Sequence, residues 1–276
     1  MSGRRWGPRV ALASATAAVV GGSLLPFLWF VAASLKTELE ITAIPPAVWP
    51  SGSLEFYRSA LGRYDLLHYV RNSCVVAGAT TGITVALSTL AGYALARLRL
   101  RGTRAVLLGL LLVSMFPQIS IAGPVWRILH RVGWLNSYPG LILPYVTLTL
   151  PLGVWVVASF FRELPPDLED AARVDGWGNL QILWRVILPL AAPGVFTAAI
   201  LVFIYAWNEF FFALLIMTER AYQTLPVGIA LFQGEYTVPW GEIAAASTVA
   251  TVPLVLLVLL FQRRIVSGLS AGAVKG

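Results

Sequence analysis

Six stretches of this chain carry no charged residue, and each is at least 20 residues long. They cover residues 10–35, 72–96, 105–126, 132–161, 186–208 and 243–262. About 20 apolar residues in a helix cross the ~30 Å hydrocarbon core of a bilayer. A backbone in lipid must satisfy its own hydrogen bonds, so runs of this kind fold as helices. The pattern therefore predicts an all-α membrane protein with six spans. Only 12% of the residues are charged, against roughly 25% in soluble domains. The fourth run exceeds a span and holds Pro139, Pro144 and Pro151, so its span is expected to begin near Gly140. The fifth either continues past Glu209 through 210–217 or breaks there.

The net charge of +7 would point to nucleic acid in a soluble protein. In a membrane protein it reflects the excess of Lys and Arg in cytoplasmic loops. With both termini in the cytoplasm, that side carries Arg4, Arg5, Arg9, Arg97, Arg99, Arg101, Arg104, Arg162, Arg173, Arg185, Arg263, Arg264 and Lys275, which is 13 of the 20 basic residues. The first run is too long for a signal-peptide core and lacks a small-residue cleavage site before Lys36, so an uncleaved span is expected.

Chemistry of its own is hard to find in this chain. It has no G-x-x-x-x-G-K-[ST] phosphate loop. His68 and His130 stand alone and are expected on surface loops. Cys74 is the single cysteine, so no internal disulfide can form. Energy for any uphill movement must come from a partner or an ion gradient.

The loop between the fourth and fifth runs is built as more than a connection. Pro165 and Pro166 open it, and Pro166 suits the first helical position. Asp167 and Glu169 place negative charge at the positive end of a helix dipole. Leu168, Ala171 and Ala172 fall at i, i+3 and i+4 and so share a face, which the alanines make thin. Asp175-Gly176 ends the helix, with Gly supplying the left-handed residue.

The residues Asp170-Ala171-Ala172, then Gly176, Val186, Leu188 and Pro189, resemble the loop pattern of permease subunits of ATP-binding-cassette importers. That pattern is E-A-A, three residues, G, nine residues, I-x-L-P, and the spacing here is intact. Asp170 stands in place of the usual Glu and Val186 in place of the usual Ile. Glu169 could substitute for the missing length, but it points about 100° away around the helix. Tyr93-Ala94-Leu95-Ala96-Arg97, Met115-Phe116-Pro117, Tyr205-Ala206-Trp207-Asn208-Glu209-Phe210 and Gly272-Ala273-Val274-Lys275-Gly276 extend the likeness to the carbohydrate-uptake branch, maltose/trehalose type. The resemblance implies a single permease domain over 1–276. Its first span and an external loop lie in 1–71, a permease core in 72–262 with the coupling loop at 162–189, and a cytoplasmic tail in 263–276.

It implies partners as well: a second, related permease, two ATPase subunits holding ATP and Mg, and an extracytoplasmic sugar-binding protein, with no cofactor on this chain. The location implied is the cytoplasmic membrane of a bacterium or archaeon. Glu169, Asp170, Ala171, Ala172, Asp175, Gly176, Leu188 and Pro189 are the expected coupling residues. Gln118, Tyr205, Asn208 and Glu209 are candidates for the sugar path. For Glu209 a second reading stands, a carboxylate at the outer interface. For Tyr205 and Trp207 the alternative to sugar stacking is the interfacial aromatic belt. The tail Gly268–Gly276 reads as a loose end by composition, and by resemblance Gly272, Lys275 and Gly276 in it read as an ATPase contact. An ion-coupled transporter is the competing function. Such folds carry inverted repeats and matching broken helices, and the sequence displays neither.

Overall fold

The computed structural model describes residues 6–45, 47–98, 100–232 and 238–273, with side chains described between 10 and 261. Every regular element among them is helical. Four helices are long and apolar enough to cross a membrane: Val10–Ser34, Leu66–Arg97, Tyr138–Glu163 and Trp240–Phe261. Two more apolar stretches are bent pairs. Thr103–Ser114 meets Gln118–Arg131 at 88°, and Asn179–Leu190 meets Ala192–Asn208 at 81°.

Prolines account for both bends. Pro117 has no N–H to donate and sits with ψ near 122° at the head of the second half-helix, so the helix cannot run through it. Pro193, in the first turn of Ala192–Asn208, cannot bond the carbonyl of Pro189 four residues back. The expected fifth span is thereby corrected. Residues 186–190 end a separate helix set at a steep angle, and the straight part begins at Ala192. At its other end the helix breaks at Glu209, whose backbone is extended, and Phe211–Ile216 follows as a short helix.

The chain divides into two compact units, residues 1–67 with 229–252 and residues 68–228 with 253–276. In the first, Thr37 forms a capping box with Glu40 at the head of Glu38–Thr42. Ser59 Oγ donates to Glu242 Oε1 at 3.0 Å, and Tyr64 stacks on Phe232 at 4.1 Å.

The second unit is built around Tyr138–Glu163. Ser137 caps it by accepting from the Gly140 N–H, close to the start expected at Gly140. Thr80, Thr84 and Ser88 recur every fourth residue on Leu66–Arg97 and are fully buried. This stripe of small residues lets that helix approach closely. A methyl group at Gly153 would overlap Ser88 Oγ, and Thr84 bonds Thr149 at 3.0 Å. Thr147 and Thr149 also bond back to carbonyls of their own helix. His68 and His130 lie on helices rather than loops. His68 Nε2 bonds the Ala221 carbonyl at 2.7 Å, and His130 stacks on Trp126 at 5.0 Å. Helix continues through Gly272 to Ala273, so that stretch is not a loose end. Lys275 and Gly276 lie outside the described residues.

Candidate functional site: the 162–189 loop

The loop helix is Asp167–Val174, with Pro166 as its N-cap rather than its first residue. Acidic Asp167, Glu169 and Asp170 crowd its first turn and Arg173 its last, complementing the dipole at both ends. Its stop is a double-bonded turn. The Gly176 N–H donates to Arg173 O at 3.0 Å and the Trp177 N–H to Ala172 O at 3.0 Å. Gly176 has φ +81°, the left-handed geometry that such a stop requires.

Two faces of this helix meet different surroundings. Glu169 and Ala172 are buried. Ala172 belongs to a packed cluster with Tyr93, Val156, Val157, Phe161, Ile182, Leu183 and Ile187. The face expected at Leu168, Ala171 and Ala172 is therefore corrected: Ala172 packs into this chain's own core. The outward stripe is Asp167, Asp170, Ala171 and Val174, at i, i+3, i+4 and i+7. Val174 is 87% exposed, high for an apolar side chain. Asp175 and Gly176 are exposed beside it.

Charge on the buried side is paired. Arg97 Nε donates to Glu169 Oε1 at 2.5 Å, with both side chains under a tenth exposed. Arg97 also donates to Leu164 O at 3.0 Å and Pro165 O at 3.2 Å. Arg173 donates to Glu169 Oε2 at 2.9 Å and to Asp170 Oδ1 at 2.8 Å. A groove of about 450 Å³ opens alongside, lined by Ala96, Arg97, Pro166, Glu169, Asp170 and Asn179 among others. Glu169 is thus committed inside the chain and does not stand in for Asp170 on the outer face. Arg97 was visible in the sequence as one of a basic cluster and as the end of the Tyr93–Arg97 block. Nothing in the sequence signals its partner 72 residues on.

Beyond the stop, Asn179–Leu190 carries a π-helical turn at Leu183–Ile187. Pro189 cannot donate to Arg185 O, and its ring would crowd that carbonyl. The ladder loosens there, and the Leu188 N–H reaches back five residues to Leu183 O. Leu188 and Pro189 therefore close the helix that leads away from the loop. The Arg185 guanidinium lies 5.5 Å over the Trp177 ring.

The candidates for the path separate as well. Gln118 Nε2 donates to Tyr205 Oη at 2.5 Å, which joins the two bent helix pairs. Asn208 is exposed, but its amide donates to Ile204 O at 2.8 Å, one turn back. Glu209 is buried and turned inward. Its carboxylate accepts from the Phe212 N–H at 2.9 Å, the Ala213 N–H at 3.2 Å and the Tyr145 hydroxyl. Both expectations for Glu209, path lining and an outer interface, give way to a carboxylate that caps Phe211–Ile216. Trp207 is only 2% exposed and stacks on Phe203, so it belongs to neither a sugar platform nor a lipid-facing belt.

The described residues thus hold long apolar helices, two bent helix pairs and a loop helix clamped by Arg97. The family model described as "Binding-protein-dependent transport system inner membrane component" matches residues 85–271, and the chain belongs to that family. It is 45% identical over 257 residues to the trehalose/maltose transport system permease protein MalG of Thermococcus litoralis, covering 92% of each chain. It is also 45% identical over 263 residues to the trehalose transport system permease protein SugB of Mycobacterium tuberculosis, covering 94% of each. Its fold is similar to a chain of a bacterial ABC transporter involved in import of the acidic polysaccharide alginate. There the TM-score is 0.78 at 20% identity, covering 92% of this chain and 95% of that one.

Proposed function

We propose that this chain forms half of the translocation path of an ATP-driven sugar importer, and that Asp167–Val174 is where a partner ATPase docks. One observation carries the docking reading. The helix is pinned to its own chain by Glu169 and Ala172 while Asp167, Asp170, Ala171 and Val174 face outward without cover. An eight-residue helix would not hold its shape alone. Fixed on one face, it can act as a rigid lever on the other.

The partners in this reading are a second permease of the same family, two ATPase subunits carrying ATP and Mg, and an extracytoplasmic sugar-binding protein. The names of the 45%-identical relatives support a disaccharide or oligosaccharide of the trehalose or maltose kind. Gln118, Tyr205 and Asn208 border the path. Gly272, Lys275 and Gly276 reach toward the ATPase, and both termini are cytoplasmic.

Ala171→Trp tests the docking face. It adds bulk to an exposed position, so the chain should insert normally while the ATPase no longer co-purifies and uptake of labelled trehalose is lost. Wild-type co-purification and uptake in this variant would show that the helix is only a connection.

A further inference from the structure

We propose that Arg97 is the positioning residue that transmits motion of the loop helix to the Leu66–Arg97 span. The inference rests on the docking reading above and adds a named link to it. The loop helix has covalent continuity with two neighbours, Tyr138–Glu163 before it and Asn179–Leu190 after it. It has none with Leu66–Arg97, which ends at residue 97. A movement imposed at Asp170, Ala171 and Val174 reaches that span only through side chains.

Arg97 is placed to make that link. It is the last residue of its helix, and its guanidinium spends three donor groups on the loop. Two go to Leu164 O and Pro165 O, where the chain leaves Tyr138–Glu163 and turns into the loop helix. Both carbonyls lie just past the last helical residue, Glu163, where no helical N–H follows to bond them. The third goes to Glu169, one turn into the loop helix. A single planar group thus grips both the turn and the helix. The planar fork of arginine suits such a grip and the single ammonium of lysine does not. Tyr93 lies four residues earlier, on the same face of the span, and belongs to the same buried cluster as Ala172. Glu169 is held from its other side by Arg173, so its carboxylate cannot swing away to follow Arg97. The Arg97 and Glu169 side chains are themselves mostly buried, so water competes less for the bond between them, while the bond to Pro165 O is exposed. The link is therefore short and directional, as a transmitting contact must be.

The experiment uses the whole importer in liposomes with its ATPase, second permease and binding protein, supplied with radiolabelled trehalose. It measures ATPase content, ATP hydrolysis, and trehalose taken up per ATP hydrolysed. Arg97→Met and Arg97→Lys should keep the ATPase, because the outer face is untouched. Hydrolysis should continue, while uptake per ATP falls about fivefold or more in Arg97→Met, the low end of coupling between sites. Arg97→Lys should fall between wild type and Arg97→Met. Arg97→Cys with Glu169→Cys, in a Cys74→Ser background, should be uncoupled as free thiols. A short bis-methanethiosulfonate, which forms a disulfide with each cysteine and releases two methanesulfinate groups, should bridge the two positions and raise the ratio again.

A merely structural role would lower the amount of complex and leave the ratio of surviving complexes at the wild-type value. That outcome overturns the proposal. If Arg97→Met fails to assemble, Arg97→Lys and the bridged pair decide by the same ratio. Ala171→Trp run in parallel separates the two readings. Retained ATPase and transport there sinks docking, whereas released ATPase with an unchanged ratio in the Arg97 variants sinks only the clamp.

Discussion

Glu169 and Asp170 are neighbours in sequence and opposites in surroundings. The Glu169 side chain is 5% exposed and held between Arg97 and Arg173, while the Asp170 side chain is 66% exposed and pairs with Arg173. The acidic pair read from the sequence thus divides into an internal anchor and an external contact.

The two carboxylates should respond differently to neutralisation. Glu169→Ala leaves the Arg97 guanidinium buried without its counter-charge. Breaking a buried pair from one side costs about 3–5 kcal/mol, so thermal unfolding in detergent should move sharply downward. Asp170→Asn alters an exposed pair worth about 0–1 kcal/mol and should leave the unfolding temperature nearly unchanged. Uptake should fall in Asp170→Asn all the same. Equal thermal losses in the two variants would contradict the division.

Gly176 is required by backbone conformation and not by space. Its φ is +81°, and nothing lies within 4 Å of where a Cβ would stand. Gly176→Ala should cost roughly 1–2 kcal/mol for the left-handed residue and fray the last turn of Asp167–Val174. Gly176→Pro fixes φ near −65° and should lose the turn altogether. Uptake in the order Gly, Ala, Pro checks this, and equal uptake in all three would remove the case for a fixed stop.

Gln118 and Glu209 should likewise part company. Gln118→Ala removes the bond to Tyr205 at the bend of the third apolar run and should lower uptake without lowering assembly, as should Asn208→Ala. Glu209→Ala should lower assembly itself, because two backbone N–H groups and the Tyr145 hydroxyl lose their acceptor. Each donor buried without a partner costs about 1–3 kcal/mol. Membrane content by immunoblot beside uptake separates the two classes. Normal content for Glu209→Ala would return that residue to the path.

Topology is tested by single cysteines in a Cys74→Ser background. Ala43 and Leu100 are both exposed, and the charge distribution puts them on opposite sides. An impermeant thiol reagent on intact cells should label Ala43→Cys and leave Leu100→Cys unlabelled. The reverse pattern would turn the chain over and take the docking loop away from the ATPase.

Composition and periodicity alone determined much of this protein. Charge-free runs, prolines and the Gly176 stop are local facts, and local physics acts on them directly. A residue without N–H breaks a ladder wherever it sits, and a long apolar run has only a helix to adopt in lipid. Pro117 therefore marks its discontinuity before any fold is known, whereas Pro189 and Pro193 lie in a run that reads as one span, and Pro144 and Pro151 sit inside an unbroken helix. The side that each loop-helix residue faces was decided only by tertiary structure. Helical spacing groups Leu168, Ala171 and Ala172 on one side but does not say what lies opposite. That answer came from Tyr93, Val157, Phe161 and Ile187, which bury Ala172, and from Arg97, which draws Glu169 inward. Glu209 followed the same rule: its partner Tyr145 lies 64 residues away on another helix. A pairing across that distance leaves no periodic trace in the chain, because it depends on where whole helices pack and not on the residues between.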